Sequence, residues 1–171
     1  MRSVLVILLL LFSVVIAAPA ATAGDTGPDI GKYAPTIELN ELTGKTVALA
    51  DFKGKVILLT FWSTLCAPCT AEMPSLNRLS VAFKDHDFQV LAVSIDSSDK
   101  PVRDFVAKNK ITLTVLIDKE KEAFFDQYAG PSLPASYLID RGGIIVEKYA
   151  GPQEWDSAGM KAKILKALKQ K

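Results

Sequence analysis

FWSTLCAPCTAEMP, residues 61–74, ends one apolar run, opens a helical one, and carries the only two cysteines of the chain, Cys66 and Cys69. Before it, residues 55–62 (KVILLTFW) are continuously apolar, the pattern of a central strand buried on both faces. After it, Met73, Leu76, Leu79 and Phe83 recur at helical spacing over residues 68–84. The cysteines therefore stand at a strand-to-helix turn, Cys66 at its end and Cys69 in the first helical turn. Pro68 lies between them and fits that first turn, where a missing N–H costs nothing.

Three chemistries compete for such a pair. A disulfide closing so short a loop restricts the unfolded chain by about 2 kcal/mol, and a bridge at a helix start is poorly placed to staple a whole domain. A zinc site needs two more ligands. The chain offers one histidine, His86, in the charged turn KDHDF, and no third cysteine. The redox reading uses every feature. A cysteine at a helix N-terminus faces unpaired N–H groups and the positive end of the helix dipole, both of which favour thiolate over thiol. Lowering a thiol pKa from about 8.5 to about 7 raises the thiolate fraction at pH 7 from a few per cent to about half. Cys66 is then the nucleophile, and Cys69, one turn inside, the resolving thiol that breaks a mixed disulfide. No metal and no cofactor is expected beyond the Cys66–Cys69 redox disulfide itself.

Working outward, residues 36–40 and 45–49 read as two short strands around the Thr43-Gly44 turn, and residues 88–95 (FQVLAVSI) as a second buried strand. Residues 100–110 are a helix candidate, with Pro101 suited to its first turn. Strands follow at 111–117, 135–139 and 144–149, the last turned by Arg141-Gly142-Gly143, and a final helix starts near Trp155. Met160, Ile164 and Leu168 line that helix every four residues, so its five lysines form a solvated face. This alternation predicts a single α/β domain over residues 32–171 with a mixed sheet.

The N-terminus reads as a targeting segment. Met1-Arg2 gives a positive start, an uncharged run follows, and small residues predict cleavage after Ala23, making residues 1–23 a signal peptide. An uncleaved membrane anchor is the alternative, though the run is short for a span of roughly 20 residues. Residues 24–31 are expected as a flexible linker. Export brings the thiols to an oxidising, periplasmic or otherwise extracytoplasmic compartment. Without the leader 19 bases face 19 acids, which gives no basic surface for nucleic acid.

On these residues the chain resembles the thioredoxin superfamily and, within it, the TlpA/ResA-like exported thiol–disulfide oxidoreductases, over about residues 31–169. FWSTLCAPCTAEMP resembles the family's aromatic pair, Cys-x-Pro-Cys centre, Glu and Pro, with Pro74 at the position that kinks the active-site helix. Residues 30–62 resemble its N-terminal β-hairpin and the strand entering the centre. YAGPSLPASYLID, residues 128–140, resembles its cis-proline loop. The resemblance implies a thioredoxin-like three-layer sandwich with an N-terminal hairpin extension. It implies a cis Leu133–Pro134 bond, with the Leu133 backbone docking an extended substrate segment by strand addition. On the buried strand, Phe61 reads as core and Trp62 as the floor of the site, with a core role for Trp62 as the alternative, and Pro68 would border the site.

The implied activity is disulfide exchange with protein substrates, as a reductase fed by a membrane-embedded thiol donor. Apocytochrome c cysteines are the implied target, and the protein is expected as a monomer. Several positions depart from the pattern. Leu65 replaces a tryptophan common before the first cysteine, and Thr60 stands where thioredoxin has a buried Asp. A hydroxyl cannot serve as a base near neutral pH, so another group or water must take the Cys69 proton. Asp96, next to the position where ResA-like proteins place a Glu, and Glu72 are the two candidates for that relay. Each has a structural alternative: Asp96 as a turn or helix-cap residue at a strand end, Glu72 as a carboxylate favoured by the helix dipole.

Two other activities use related scaffolds. A peroxiredoxin-like thiol peroxidase uses a Pro-x-x-x-Thr/Ser-x-x-Cys pattern; Ser63 fits, but Leu59 occupies the proline position. A copper-binding chaperone would use the soft thiolates for Cu(I), with a wider cysteine spacing and a nearby histidine.

Overall fold

The computed structural model describes residues 25–170. Its centre is a seven-stranded sheet in the order β2-β1-β5-β4-β3-β6-β7. β1 (Glu38–Glu41) and β2 (Thr46–Ala48) form the N-terminal hairpin, turned at Gly44, whose φ of +89° lies in the left-handed region that favours glycine. β3 (Val56–Trp62), β4 (Phe88–Ser94) and β5 (Thr114–Ile117) run parallel; β6 (Ala135–Ile139) pairs antiparallel to β3, and β7 (Ile145–Ala150) pairs antiparallel to β6. Three helices cross over it: α1 (Ala67–Ala82), α2 (Asp99–Lys108) and α3 (Ala158–Lys169).

β3 is buried at all seven positions, as its unbroken apolar run requires of a strand covered on both faces. Its alternate side chains feed two cores. Val56, Leu58 and Trp62 pack with Cys69, Met73, Leu76 and Leu79 of α1, Ile164 of α3 and Val102 of α2. Ile57, Leu59 and Phe61 face the opposite layer, built from Ala34, Ile37, Val47, Phe124 and Tyr128. Each fully buried Leu or Phe here is worth about 1.5–3 kcal/mol over exposure. The fold is the expected α/β sandwich with a mixed sheet and hairpin extension.

Several boundaries differ from the sequence reading. Residues 111–113 lead into β5 rather than extending it, and Thr112 N–H instead donates to Asn77 Oδ1 at 2.8 Å. The last helix begins at Ala158, because the Ser157 side chain caps it by accepting from Met160 N–H. Trp155 lies before it, buried edge-on against Tyr149. A short π-turn, Ala123–Gln127, had no sequence signal. Residues 25–31, expected as linker, are tied down. Tyr33 N–H donates to Asp25 O, Gly31 N–H donates to Ile145 O, and Lys148 pairs with Asp29 at 3.2 Å. The signal-peptide and cleavage readings lie outside the described residues.

Candidate active site

Cys66 is the N-cap residue of α1, in extended conformation (φ −97°, ψ 100°), and its Sγ accepts the Cys69 N–H at 3.3 Å. Sulfur therefore occupies the place where a capping oxygen would satisfy an orphan helix donor. The two sulfurs are bonded to each other, so the structure shows the oxidised pair, with Cα atoms 5.2 Å apart. Cys66 is half-buried; Cys69 is wholly buried in the core under β3. The outer sulfur is thus the one a partner can reach. Pro68 is exposed beside it, and Pro74 lies inside α1, where its missing N–H leaves the Thr70 carbonyl without the usual helical donor.

The turn before Cys66 is held from below by Asp96. The parallel register that sets Trp62 opposite Ser94 carries Asp96, just past β4, to the turn just past β3. One Asp96 oxygen accepts from the hydroxyls of Ser63 (3.1 Å) and Thr64 (2.7 Å), the other from Thr64 N–H (2.9 Å) and the Ser94 hydroxyl (2.7 Å). Ser63 Oγ in turn accepts the Leu65 N–H, and Ser63 O accepts the Cys66 N–H. Burial pushes the Asp96 pKa up, but bonds from Thr64, Ser94 and Ser63 outweigh it and hold the group below its ordinary range. A carboxylate with all four acceptor directions used, and a lowered pKa, is a poor proton acceptor. The turn reading describes Asp96, which caps no helix, and these bonds leave it poorly suited to the relay.

Glu72 is different. It sits one turn after Cys69 on the same helix and is only 5% exposed. Its Oε2 accepts the Gln153 N–H at 2.8 Å, while Oε1 has no hydrogen-bond partner among the described residues. Burial raises its pKa from 4.5 to about 7; the bond from Gln153 and the neighbouring Trp155 indole pull the other way without cancelling the burial. This carboxyl can hold or release a proton near neutrality. Thr60, buried in β3, accepts a hydrogen bond from the Ser136 hydroxyl at 2.8 Å and adds no titratable group.

Opposite the disulfide, the Leu133–Pro134 peptide bond is cis. Leu133 and Cys66 line one hollow of about 450 Å³, with Leu65, Ile95, Asp96, Pro101 and Lys121. Neither the N–H nor the C=O of Leu133 makes a backbone hydrogen bond among the described residues, whereas Pro134 O accepts from Gly151 N–H. Leu65 is 92% exposed, an apolar side chain standing in solvent beside the reactive sulfur. A larger groove, about 640 Å³, lies between the hairpin and residues 117–127 and touches neither cysteine.

Of the two readings of Trp62, the structure supports the core and not the substrate contact: the side chain is wholly buried, its ring 5.3 Å from Phe105, and it offers no surface to a substrate. Sequence reasoning did not foresee Ser63 and Thr64 as partners of Asp96, or Gln153 as the partner of Glu72. For the first two, two hydroxyls at a strand end facing Ser94-Ile95-Asp96 at the end of the parallel neighbour were a usable signal. For Gln153, 81 residues from its partner, there was none.

The sequence matches the AhpC/TSA family over residues 30–148. It is 40% identical over 124 residues to the thiol-disulfide oxidoreductase ResA of Bacillus anthracis, covering 72% of this chain and 71% of that one. Against the thioredoxin-like protein YneN of Bacillus subtilis it is 36% identical over 130 residues, covering 74% and 75%. Among solved structures, one described as thiol:disulfide interchange protein DsbE from Chlorobium tepidum superposes with a TM-score of 0.76 at 33% identity, covering 82% of this chain and 98% of that one.

Proposed function

The chain belongs to the AhpC/TSA family and to the ResA-like thiol–disulfide oxidoreductases of the thioredoxin superfamily, and from that premise we propose that it is an exported reductase of protein disulfides. One observation carries the reading. A half-buried Cys66 sulfur caps α1, accepts a helix N–H, and is paired to a wholly buried Cys69 across from an unpaired Leu133 backbone.

In the reduced protein, helix donors favour the Cys66 thiolate. An extended substrate segment docks on the Leu133 backbone and brings its disulfide to Cys66. The thiolate attacks one substrate sulfur; the other leaves as thiolate and takes a proton from water. Glu72 accepts the Cys69 proton, and the Cys69 thiolate attacks Cys66 Sγ and displaces the substrate sulfur bound there, which leaves as a thiolate and takes a proton from water. Two electrons have passed to the substrate, and the Cys66–Cys69 disulfide of the structure is the product. A membrane-embedded thiol donor returns the pair to the dithiol. Cysteines of apocytochrome c, kept reduced before haem attachment, fit the direction as substrates. Cleavage after Ala23 places the domain in the periplasm or an equivalent compartment, where it acts as a monomer.

The peroxidase and copper alternatives gain no support. Leu59 is fully buried core in β3, where the peroxidase pattern needs proline. His86 lies beyond the far end of the 16-residue α1, about 24 Å along the helix from Cys66. Pre-reduced protein should reduce insulin disulfides, and its redox titration should fall nearer thioredoxin's potential of about −270 mV than DsbA's of about −120 mV. A value at the oxidising end would overturn the reductase direction.

A further inference from the structure

We infer that a steric pair on the sheet face opposite α1, Gly130 and Phe124, sets the position of the Leu133–Pro134 docking loop over Cys66, so that both act as positioning residues for protein substrates. The inference rests on the exchange reaction proposed above.

The chain from β5 to β6 is tied down at each step before it reaches the loop. Buried Asp118 donates its N–H to Ser94 O, and its Oδ2 accepts the Phe124 N–H at 3.0 Å. The π-turn then directs Phe124 inward, 2% exposed, while Phe125 stays outside. The Phe124 ring lies 5.4 Å from Phe61 of β3, and Tyr128 lies 5.2 Å from the same ring. Tyr128 OH donates to Pro35 O, and Tyr137 OH donates to Tyr128 O, which fixes the residue where the loop starts.

Gly130 then crosses the boxed ring. Its N–H donates to Phe124 O at 2.8 Å, and a Cβ built on it would stand 2.0 Å from Phe124 Cε2 and 2.5 Å from Cδ2 and Cζ. The residue is glycine for space: its φ is not in the left-handed region, unlike that of Ala129 at +46°. Three residues on, Leu133 lines the hollow shared with Cys66, and Pro134 O is held by Gly151 N–H. A methyl at position 130 needs more than 1 Å of extra room. Phe61 and Phe125 flank the ring at 5.4 and 4.8 Å, so the backbone of the loop must yield, and Leu133 moves with it. A misplacement of that size costs roughly 100-fold in a positioned reaction. Cys66 rides on a separate turn, clamped by Asp96, and is untouched.

The test compares wild type, Gly130→Ala, Phe124→Val and the double variant as full chains, pre-reduced, on two substrates. Insulin needs the docking loop; a small aromatic disulfide (Ellman's reagent) needs only an accessible Cys66 thiolate. Gly130→Ala should lose about 100-fold in kcat/KM on insulin. On the small disulfide it should stay within about 2-fold, with an unchanged pH profile. The double variant should exceed Gly130→Ala at least about ten-fold on insulin and also exceed Phe124→Val, because the methyl fills the space the ring gave up. Should Gly130→Ala fail to fold, Phe124→Val against the double variant decides the sign. Equal losses on both substrates, no loss on insulin, or a double variant worse than Phe124→Val would overturn the inference. Wild type that fails on insulin instead overturns the proposed function.

Discussion

Replacing Glu72 with Gln removes a buried charge and keeps its shape. The carboxyl pKa is raised by burial from 4.5 to about 7, a difference of roughly 2.5 units, or about 3 kcal/mol at 1.36 kcal/mol per unit. The sign follows from proton counting. An acid with a raised folded-state pKa binds its proton more tightly when folded, so stability falls as pH climbs from about 4.5 to about 7 and the full cost persists above. Glutamine never ionises, and its carbonyl can still accept the Gln153 N–H. Glu72→Gln should therefore match wild type at pH 4 and exceed it by roughly 1–3 kcal/mol at pH 8, the lower end allowing for relaxation around the charge. Urea unfolding of the oxidised protein at pH 4, 6 and 8 measures this. A stability difference that stays constant with pH, or wild type proving the more stable at pH 8, would refute the assignment of a buried, proton-holding Glu72.

The same substitution should slow release of substrate from the mixed disulfide by about 100-fold below pH 8, seen as accumulated adduct in quenched-flow gels, with the initial Cys66 attack unchanged. Asp96→Ala leaves a half-buried backbone N–H and three hydroxyls without their acceptor; a loss of about 2–4 kcal/mol in denaturant unfolding is expected, and a loss below about 1 kcal/mol would show that the clamp is idle. Cys69→Ser should halt exchange after the first step, trapping substrate on Cys66 as a non-reducing gel shift, whereas Cys66→Ser should trap none. Leu58→Ala, in the fully buried β3, should cost about 2–5 kcal/mol.

Local pattern carried much of this site into view. The apolar run into Cys66 and the helical spacing after it defined β3, α1 and the dithiol, because a central strand and an active-site helix each leave an unambiguous period. The cis-proline loop was legible only through resemblance, since an X–Pro bond is trans in most contexts. What stayed hidden depends on distance in sequence. Asp96 meets Ser63 and Thr64 across more than thirty residues, and Glu72 meets Gln153 across 81. Trp62 looked like a site floor because it neighbours the motif; strand alternation sends its ring into the α1 core instead. The tied-down residues 25–31 carry turn-forming composition, which does not say whether a turn-rich segment finds a surface to bind.

The most direct measurement is the pH dependence of iodoacetamide labelling of each cysteine in the reduced protein, read by mass spectrometry. Cys66 should be labelled first, with a midpoint below the ordinary thiol value of about 8.5, while Cys69 stays protected until the protein unfolds. Two sulfurs that react at the rate of free cysteine, or Cys69 labelled ahead of Cys66, would contradict the account.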